Sequence, residues 1–285
     1  MYHNPVMLKE CIEGLQINPD GIYVDVTFGG GGHSMVILEN LREGRLIAFD
    51  QDEDAKRQAD NIQSRSFTFC QANFRYMKQY LKLSGVIQVD GILADLGISS
   101  HQIDSPERGF STRFEGPLDM RMDQKGNITA AKILNEYPEA ELHKIFGMYG
   151  ELKNARTAAK AVIAARTIKP LSTTLDLKAA LQQITPRGKE NKYFAQVFQA
   201  LRIEVNHELD NIKSLLATSY RLLNPGGRMV CISFHSLEDR IVKNFFKNNQ
   251  LEILTPKPVC ATPEEIQQNP SSRSAKLRAA RKNAS

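Results

Sequence analysis

The sequence predicts an α/β fold in which a parallel sheet, covered by helices on both faces, is interrupted by a helical insertion. Short runs of β-forming residues alternate with helix-like stretches in the first third of the chain. From about Thr129 to about Asn206 the pattern is mainly helical, and after Asn206 the alternation resumes. We therefore predict an α/β domain in two parts, 1–128 and 207–285, with a helical insertion at 129–206.

The first part of the domain contains predicted strands that alternate with predicted helices. Runs rich in Val, Ile, Phe and Tyr that end at a glycine or an acid are typical of buried strands in parallel sheets. The strands are IYVDVTF, GRLIAFD, SFTFCQAN and VDGILADLG, and the helices between them are SMVILENL, DEDAKRQADNIQS and FRYMKQYLKLS.

The insertion is predicted to be helical throughout, and the α/β pattern follows it. Its helices are TAAKILNEY, PEAELHKIFGMYG, NARTAAKAVIAAR, STTLDLKAALQQI and YFAQVFQALRIEV. Pro138 lies near the first turn of the second of these, and Ser/Thr residues cap the fourth. The second part continues with the helix NHELDNIKSLLATSYRLL, the turn NPGG and the strand RMVCISF. The proline-marked residues 255–272 predict irregular structure.

The composition is that of an ordinary globular chain, with 41% hydrophobic and 24% charged residues. No apolar run approaches the roughly 20 residues that span a bilayer. The N-terminus has no apolar signal core, so we expect a cytoplasmic protein without a membrane partner. The four cysteines are scattered without a CxxC pair, which argues against a zinc site and a disulfide framework. We therefore expect no metal.

The last segment of the chain accounts for the whole net charge of +5. It contains no acid and five cations: Arg273, Lys276, Arg278, Arg281 and Lys282. The alternation of apolar and basic residues in SAKLRA predicts a strand at the edge of the sheet, with its cations on the solvent face. Such a strand is also suited to contact the phosphates of RNA.

Four consecutive glycines, Gly29–Gly32, follow the first predicted strand. A strand, a glycine-rich turn and a helix form the nucleotide-binding arrangement of doubly wound folds, where the amides at the helix start attract a ligand. Asp50 ends the next strand, where an acid accepts hydrogen bonds from ribose hydroxyls. Met35 stands where GxGxxG requires its third glycine, and no P-loop is present. An adenosine cofactor without phosphates, such as S-adenosylmethionine, fits this pattern better than a dinucleotide, and the alternative is a tight turn that binds no ligand.

Asp95 ends another predicted strand, at the same edge of the sheet. A carboxylate at that position can accept a hydrogen bond from an adenine amino group or from a reacting amine. The alternative is an acid that caps a helix or lies in a loop.

Eight motifs follow one another along the chain: HNPVMLKE, DVTFGGGGHS, DLGISSHQID, RGFS, GPLDMRMD, FQALRIEVNHEL, NPGGRMVCISFHSLEDRIVK and NPSSRSAKLR. In sequence and in order they resemble the bacterial ribosomal RNA small subunit methyltransferase H family, also called MraW. The resemblance implies a Rossmann-like class I S-adenosylmethionine-dependent methyltransferase with a helical insertion domain for substrate recognition. It implies methyl transfer to the exocyclic N4 of a cytidine in the decoding region of 16S rRNA, in the assembled small ribosomal subunit, and it allows a homodimer.

One segment departs from the family pattern. Many members have a threonine–arginine pair before FQALRI, whereas this chain has Gln196 and Val197 there. The departure concerns the RNA contacts expected of the insertion and leaves the expected cofactor site unchanged.

The resemblance also implies a set of cofactor-binding residues: Gly31, Gly32, His33, Asp50, Phe74, Asp95 and Gln102. Reasoning from the residues alone predicts only the glycine loop and Asp50. The alternatives are a ring that merely packs at a helix start for His33, an ordinary core aromatic for Phe74 and a solvated loop residue for Gln102.

Asp95 is the candidate catalytic residue, because an acceptor that holds the N–H bonds of the amine turns its nitrogen toward the sulfonium methyl group. The segment SPERGFSTRFEGPLDMRMD supplies candidate substrate contacts, since arginines contact phosphates and aromatic rings stack on bases. These candidates are Arg108, Phe110, Asp119 and Arg121, with a loop of internal Arg–acid pairs as the alternative. His235 and Ser236, after the strand RMVCISF, are further candidates, although a lone histidine is more often structural.

Two other functions remain open at this point. One is an S-adenosylmethionine-dependent methyltransferase that acts on a small molecule, and the other is a ribosome-binding module without activity. The insertion and the basic end of the chain favour a large RNA substrate. The intact Gly31, Gly32, Asp50 and Asp95 argue against a module without activity.

Overall fold

Parallel strands form the centre of the first of two units into which the described residues, 5–284, divide in this computed structural model. This unit comprises Met1–Gly97 and Leu209–Ser285, and the second comprises Ile98–Glu208. His3 and Asn4, which open the first motif, lie outside the described residues. The strands are β1 (Ile22–Asp25), β2 (Arg45–Asp50), β3 (Phe67–Gln71), β4 (Val89–Asp95), β5 (Leu223–Ser233), β6 (Leu251–Ile253), β7 (Val259–Cys260) and β8 (Lys276–Lys282).

The strands join in the order β3-β2-β1-β4-β5-β8-β6, and β7 also pairs with β8. Strands β1 to β5 are parallel, whereas β8 is antiparallel to β5, β6 and β7. The order reverses next to β1, so the chain leaves the sheet in opposite directions from β1 and β4. A ligand-binding crevice forms at such a point, outside the carboxyl ends of the strands.

Helices cover both faces of this sheet. They are α1 (Leu8–Leu15), α2 (Gly32–Glu39), α3 (Glu53–Ala59), α4 (Met77–Leu83), α11 (Glu208–Leu222), α12 (Ser236–Asn248) and α13 (Pro263–Gln268). Neighbouring residues of β1 belong to opposite faces: Tyr23 packs in a core cluster with Leu15 of α1, and Val24 in a cluster with Met77 of α4. Both faces of the strand are therefore buried, and the predicted α/β class is confirmed.

The second unit is helical and has its own core. Its helices are α5 (Ser100–Asp104), α6 (Ala130–Glu136), α7 (Glu139–Met148), α8 (Ala155–Ile168), α9 (Thr174–Leu181) and α10 (Glu190–Asn206). Thr129 and Thr173 cap α6 and α9 through their side-chain oxygens. The predicted insertion, 129–206, lies inside this unit. Its role in substrate recognition stays a prediction.

The departure from the family pattern lies on α10. Val197 is fully buried in the helical core, and the Gln196 side chain donates to the Gly150 carbonyl at 2.9 Å. Both residues therefore stabilise the unit itself.

Two predictions about the C-terminal residues were wrong. The segment 255–272 is not irregular, since it contains β7, α13 and most of a 3₁₀-helix at Pro270–Ser274. Strand β8 exists but lies between β5 and β6, not at the edge. Arg278 is buried and pairs with Asp239 of α12, with Nε 2.6 Å from Oδ1. Alternation along one strand could not show that a helix would supply an acid to that face.

Among the described residues, we find no helix long and apolar enough to cross a membrane.

Candidate active site

The glycine loop links the end of β1 to the start of α2. Gly31 has a φ of 80°, which residues with a side chain rarely adopt, and a Cβ added there would lie 2.7 Å from Phe28 Cζ. The Phe28 ring is itself held by Phe69, whose ring centroid is 5.2 Å away. Within residues 5–284 we find no side chain that caps α2, so the amides of its first turn can donate to a ligand.

Asp50, at the end of β2, supports the same loop. Its Oδ2 accepts a hydrogen bond from the Gly29 amide at 2.8 Å, and its Oδ1 accepts one from the Asp52 amide at 2.9 Å. Burial raises the pKa of Asp50 to about 6, although these two bonds favour the ionised form. Each carboxylate oxygen has a second lone pair, so the fixed carboxylate can still accept hydrogen bonds from two hydroxyls.

Asp95 ends β4 and is joined to the loop by Thr27. The Thr27 hydroxyl accepts a hydrogen bond from the Asp95 amide at 2.6 Å. The Oδ1 atom of Asp95 is buried and has no hydrogen-bond partner in the described part of the chain. Burial raises the pKa of Asp95 to about 7, and the nearby Asp25 and Glu238 raise it further against the opposing effect of His33. An orphaned acceptor of this kind is costly unless a ligand satisfies it.

Asp25 is a functional candidate that the sequence analysis missed. It lies at the end of β1, is 1% exposed, and accepts hydrogen bonds from the Thr27 amide at 3.0 Å and the Ser34 hydroxyl at 2.8 Å. Burial raises its pKa as well. Like Asp50 and Asp95, it ends a strand, and this position shortly before the glycine loop is the signal that would have found it.

His33 is buried in the first turn of α2, close to the acids at the strand ends. Its Nε2 lies 2.9 Å from the Val6 carbonyl oxygen, which can only accept, so Nε2 carries a proton. An electrostatic interaction with His33 lowers the pKa of both Asp25 and Asp95, against the larger effect of burial. The ring thus makes a specific hydrogen bond and an electrostatic contact in addition to its packing.

Phe74 follows β3 and is half-buried against the sheet core. The residue before it, Asn73, donates from Nδ2 to Gln51 Oε1 at 3.0 Å. Since Gln51 follows Asp50, this bond ties the ends of β2 and β3 together. The structure therefore brings together at one edge the glycine loop, His33, Asp50, Phe74 and Asp95.

Nearly the whole chain that carries this site matches one known family. The model of the MraW methylase family matches residues 1–283. The chain belongs to the MraW methylase family. A protein of Cytophaga hutchinsonii named ribosomal RNA small subunit methyltransferase H is 60% identical over 250 residues, which cover 88% of this chain and 84% of that protein. A protein of the same name from Amoebophilus asiaticus is 52% identical over 293 residues, which cover 97% and 94%.

Membership of the MraW family confirms several predictions. The resemblance is correct, the α/β fold with a parallel sheet agrees with it, and the chain is an enzyme that transfers methyl groups. A ribosome-binding module without activity is therefore excluded.

Other candidate residues of this MraW methylase lie in the helical unit. Gln102 is buried rather than solvated, and its Oε1 accepts from the Ser99 amide at 3.1 Å in a capping box at the start of α5. Arg108 is buried and donates to the carbonyl of Arg121 at 3.0 Å, and its guanidinium lies 5.9 Å from the centroid of the Phe110 ring. These contacts are internal to the unit, so the proposed roles of the three residues in binding cofactor or substrate stay predictions.

Asp119 and Arg121 form a two-point ion pair. Arg121 Nε lies 2.8 Å from Asp119 Oδ1, and Nη2 lies 2.7 Å from Oδ2. Burial raises the pKa of Asp119, but the bonds and charge of Arg121 outweigh it, so that the pKa lies below its usual value. The alternative of an internal Arg–acid pair therefore describes the observed geometry, and substrate contact by either residue stays a prediction.

His235 and Ser236 lie in the α/β unit, where β5 passes into α12. His235 is the N-cap residue of α12, and its Nε2 lies 3.2 Å from Oε1 of the fully buried Glu238. Glu238 Oε2 also accepts a hydrogen bond from the Phe234 amide at 2.8 Å. Ser236 is the first residue of the helix. This arrangement holds the start of α12, and contact of His235 or Ser236 with substrate stays a prediction.

Proposed function

We propose that this MraW methylase transfers a methyl group from S-adenosylmethionine to the exocyclic N4 of a cytidine in the decoding region of 16S rRNA. We further propose that it acts in the bacterial cytoplasm on the small ribosomal subunit. The family resemblance also allows the enzyme to form a homodimer. The orphaned, buried Oδ1 of Asp95 beside the glycine loop carries the proposal, because it is an acceptor placed where an amine would react. The names of the relatives support rRNA as the substrate.

The residues at the sheet edge fit S-adenosylmethionine. The positive φ of Gly31, which glycine adopts without strain, turns the chain from β1 into α2, so that the first amides of the helix are available to a ligand. The amides of Gly32 and His33 would hold the polar end of the cofactor, and Asp50 would accept the ribose hydroxyls. Phe74 would pack beside the adenine. When bound, the cofactor supplies an electrophilic methyl group on a sulfonium.

The proposed chemistry on the protein side belongs to Asp95. The exocyclic amine of cytosine is a weak nucleophile, because its lone pair is shared with the ring. By accepting a hydrogen bond from the amine N–H at Oδ1, Asp95 would orient the nitrogen so that its lone pair points at the methyl carbon of the sulfonium. The carboxylate then takes the proton that the methylated nitrogen must lose. With a pKa raised to about 7, Asp95 is a stronger base than an ordinary carboxylate.

The target base has to leave its stack to reach such a buried acceptor. Arg108, Phe110, Asp119, Arg121, His235 and Ser236 remain the candidates for holding the extruded nucleotide and its neighbours. Gln102 remains a candidate for cofactor contact. Each of these assignments is a proposal that substitution of the single residue would test.

Nucleoside mapping tests the proposed function directly. In 16S rRNA from cells that lack this protein, mass mapping should show one decoding-region cytidine without its N4-methyl group, and the purified protein should restore it. A transfer assay with tritiated S-adenosylmethionine would compare isolated small subunits, naked 16S rRNA and metabolite pools. Label in subunits supports the proposal, whereas label only in a small molecule, or unchanged rRNA in the mutant cells, overturns it.

A further inference from the structure

Residues 5–7 lie directly against the glycine loop, and we call them the N-terminal clamp. A Cβ added to Gly32 would lie 2.9 Å from Pro5 Cγ, so the proline ring fills the space beside this glycine. The next residue, Val6, accepts the hydrogen bond from His33 Nε2 at 2.9 Å. The clamp therefore contacts both residues of the loop that begin α2.

The other end of the clamp is anchored by α13, a helix that is remote in the sequence. The Met7 amide donates to Glu265 Oε1 at 2.7 Å. Met7 is 1% exposed and has a φ of 52°, in the left-handed region that non-glycine residues rarely adopt. Such a conformation persists only where the surrounding contacts fix it. The bond to Glu265 is one of those contacts.

Helix α13 is the shortest and most exposed helix in this series of contacts. It has six residues, none of which is buried, and its N-cap is the exposed Thr262. Short, exposed helices of this kind open locally at low free-energy cost. The clamp thus links the glycine loop to a short, exposed helix.

We propose that the N-terminal clamp holds Gly32 and His33 in the cofactor-binding geometry, and that Glu265 is the positioning residue that anchors it. The inference rests on the proposed function only in that S-adenosylmethionine is the ligand of this loop. Two sites that stabilise one conformation are coupled reciprocally. Glu265 therefore strengthens cofactor binding, and bound cofactor in turn stabilises α13.

The first test is calorimetric titration of the full chain with S-adenosylmethionine. Glu265→Ala should raise the dissociation constant about 10-fold, within the usual range of such couplings. Glu265→Gln keeps an oxygen that can accept from Met7 and should bind as the unmodified chain does. The matched control is Glu264→Ala, the exposed neighbour in the same helical turn, which should also leave binding unchanged.

The second test is hydrogen exchange with and without S-adenosylmethionine. If Glu265 only stabilised its own helix, the cofactor would not change the exchange rates there. S-adenosylmethionine should slow exchange at the Met7 amide and in residues 262–269 of the unmodified chain, and Glu265→Ala should abolish this protection. Binding by Glu265→Ala within two-fold of the unmodified chain overturns the proposal, and so does unprotected α13. If Glu265→Ala fails to fold, protection of α13 in the unmodified chain decides alone. If the unmodified chain does not bind S-adenosylmethionine at all, the proposed function fails instead.

Discussion

The carboxyl edge of the sheet and strand β8 both concentrate charge, but they treat it in opposite ways. At the edge, three acids lie at strand ends within one hydrogen-bonded group, and burial raises the pKa of each: Asp25, Asp50 and Asp95. In β8, Arg278 pairs with Asp239, Arg281 with Glu252, and Lys282 donates to the Leu223 carbonyl. One region keeps an unsatisfied acceptor, whereas these three cations have partners within the protein.

This difference in pairing indicates which of the two regions is the candidate for binding a ligand. A buried charge without enough partners costs stability, so such a group is a candidate for a role in binding or in a reaction. A paired charge already stabilises the fold. By this criterion we propose the carboxyl edge as the functional region and a structural role for most of the basic C-terminal strand.

The largest expected effect is on catalysis by Asp95. Asp95→Ala should lower kcat by a factor of about 10²–10⁴, the range for loss of a positioned acid–base group. In the unmodified enzyme, activity should rise as pH increases through about 7, because the deprotonated carboxylate is the form that accepts the proton. Single-turnover methyl transfer at saturating cofactor measures both effects. A near-normal rate in Asp95→Ala would remove this residue from the chemistry.

The second largest effect is expected at the Arg278–Asp239 ion pair of β8 and α12. Arg278→Ala leaves the Asp239 carboxylate, which is only partly exposed, without its partner, so the free energy of unfolding should fall by about 2–4 kcal/mol. The side chains of this pair are only 9% and 14% exposed. Urea unfolding measures the loss, and the double variant that also carries Asp239→Ala should lose less than Arg278→Ala alone. Equal losses would mean that the pairing is not what matters.

Asp95 should also reduce the stability of the protein. Its folded-state pKa of about 7 exceeds the unfolded value of about 3.9. Between these values the native state binds more protons than the unfolded state, so the free energy of unfolding falls as pH rises through this window. Asp95→Asn should therefore stabilise the ligand-free protein by about 1–4 kcal/mol at pH 8, and by less at pH 5. Urea unfolding at both pH values tests this, with the exposed Asp60→Asn as the control.

A smaller effect is expected at the glycine loop. Gly31→Ala would combine a strained backbone with a contact against the Phe28 ring, so we expect a loss of about 1–3 kcal/mol in stability and weaker cofactor binding by about 10-fold. Gly85 is a matched control, because its φ is 71° but no atom lies within 4 Å of an added Cβ. Gly85→Ala should show the strain without the loss of binding. If both variants bound S-adenosylmethionine equally well, the glycine loop would not contribute to cofactor binding in the way predicted.

The sequence was sufficient where a local pattern has one structural outcome. Alternating strands and helices led to the observed sheet, and a glycine loop with an acid at the end of the next strand led to Asp50. Asp25 ends a strand as Asp50 and Asp95 do, and that signal was visible in the sequence, but its burial and the hydrogen bonds that it accepts from Thr27 and Ser34 were not. Residue identity alone assigned no partner to it.

The failures concern long-range partners. The cations of β8 alternate along the strand, but their surroundings depend on α12 and on the placement of β8 inside the sheet. The pairing of Arg121 with Asp119 was only one of two open alternatives, because a charged loop can bind itself or a substrate. The anchoring of Met7 by Glu265 joins opposite ends of the chain, and no local pattern indicates it.

The smallest effect tests whether β8 contributes to RNA binding at all. The side chains of Arg281 and Glu252 are 43% and 45% exposed, so Arg281→Ala should cost about 0.5 kcal/mol or less in stability. If Arg281 also neutralised an RNA phosphate, its loss would reduce the slope of log binding constant against log salt by about 0.7–0.9. Because Glu252 already pairs with this guanidinium, we expect no change in that slope when binding to naked 16S rRNA is measured between about 50 and 200 mM salt. A reduction of about 0.7–0.9 would show that Arg281 contacts RNA, and only Arg278 and Lys282 would then remain as purely structural cations of β8.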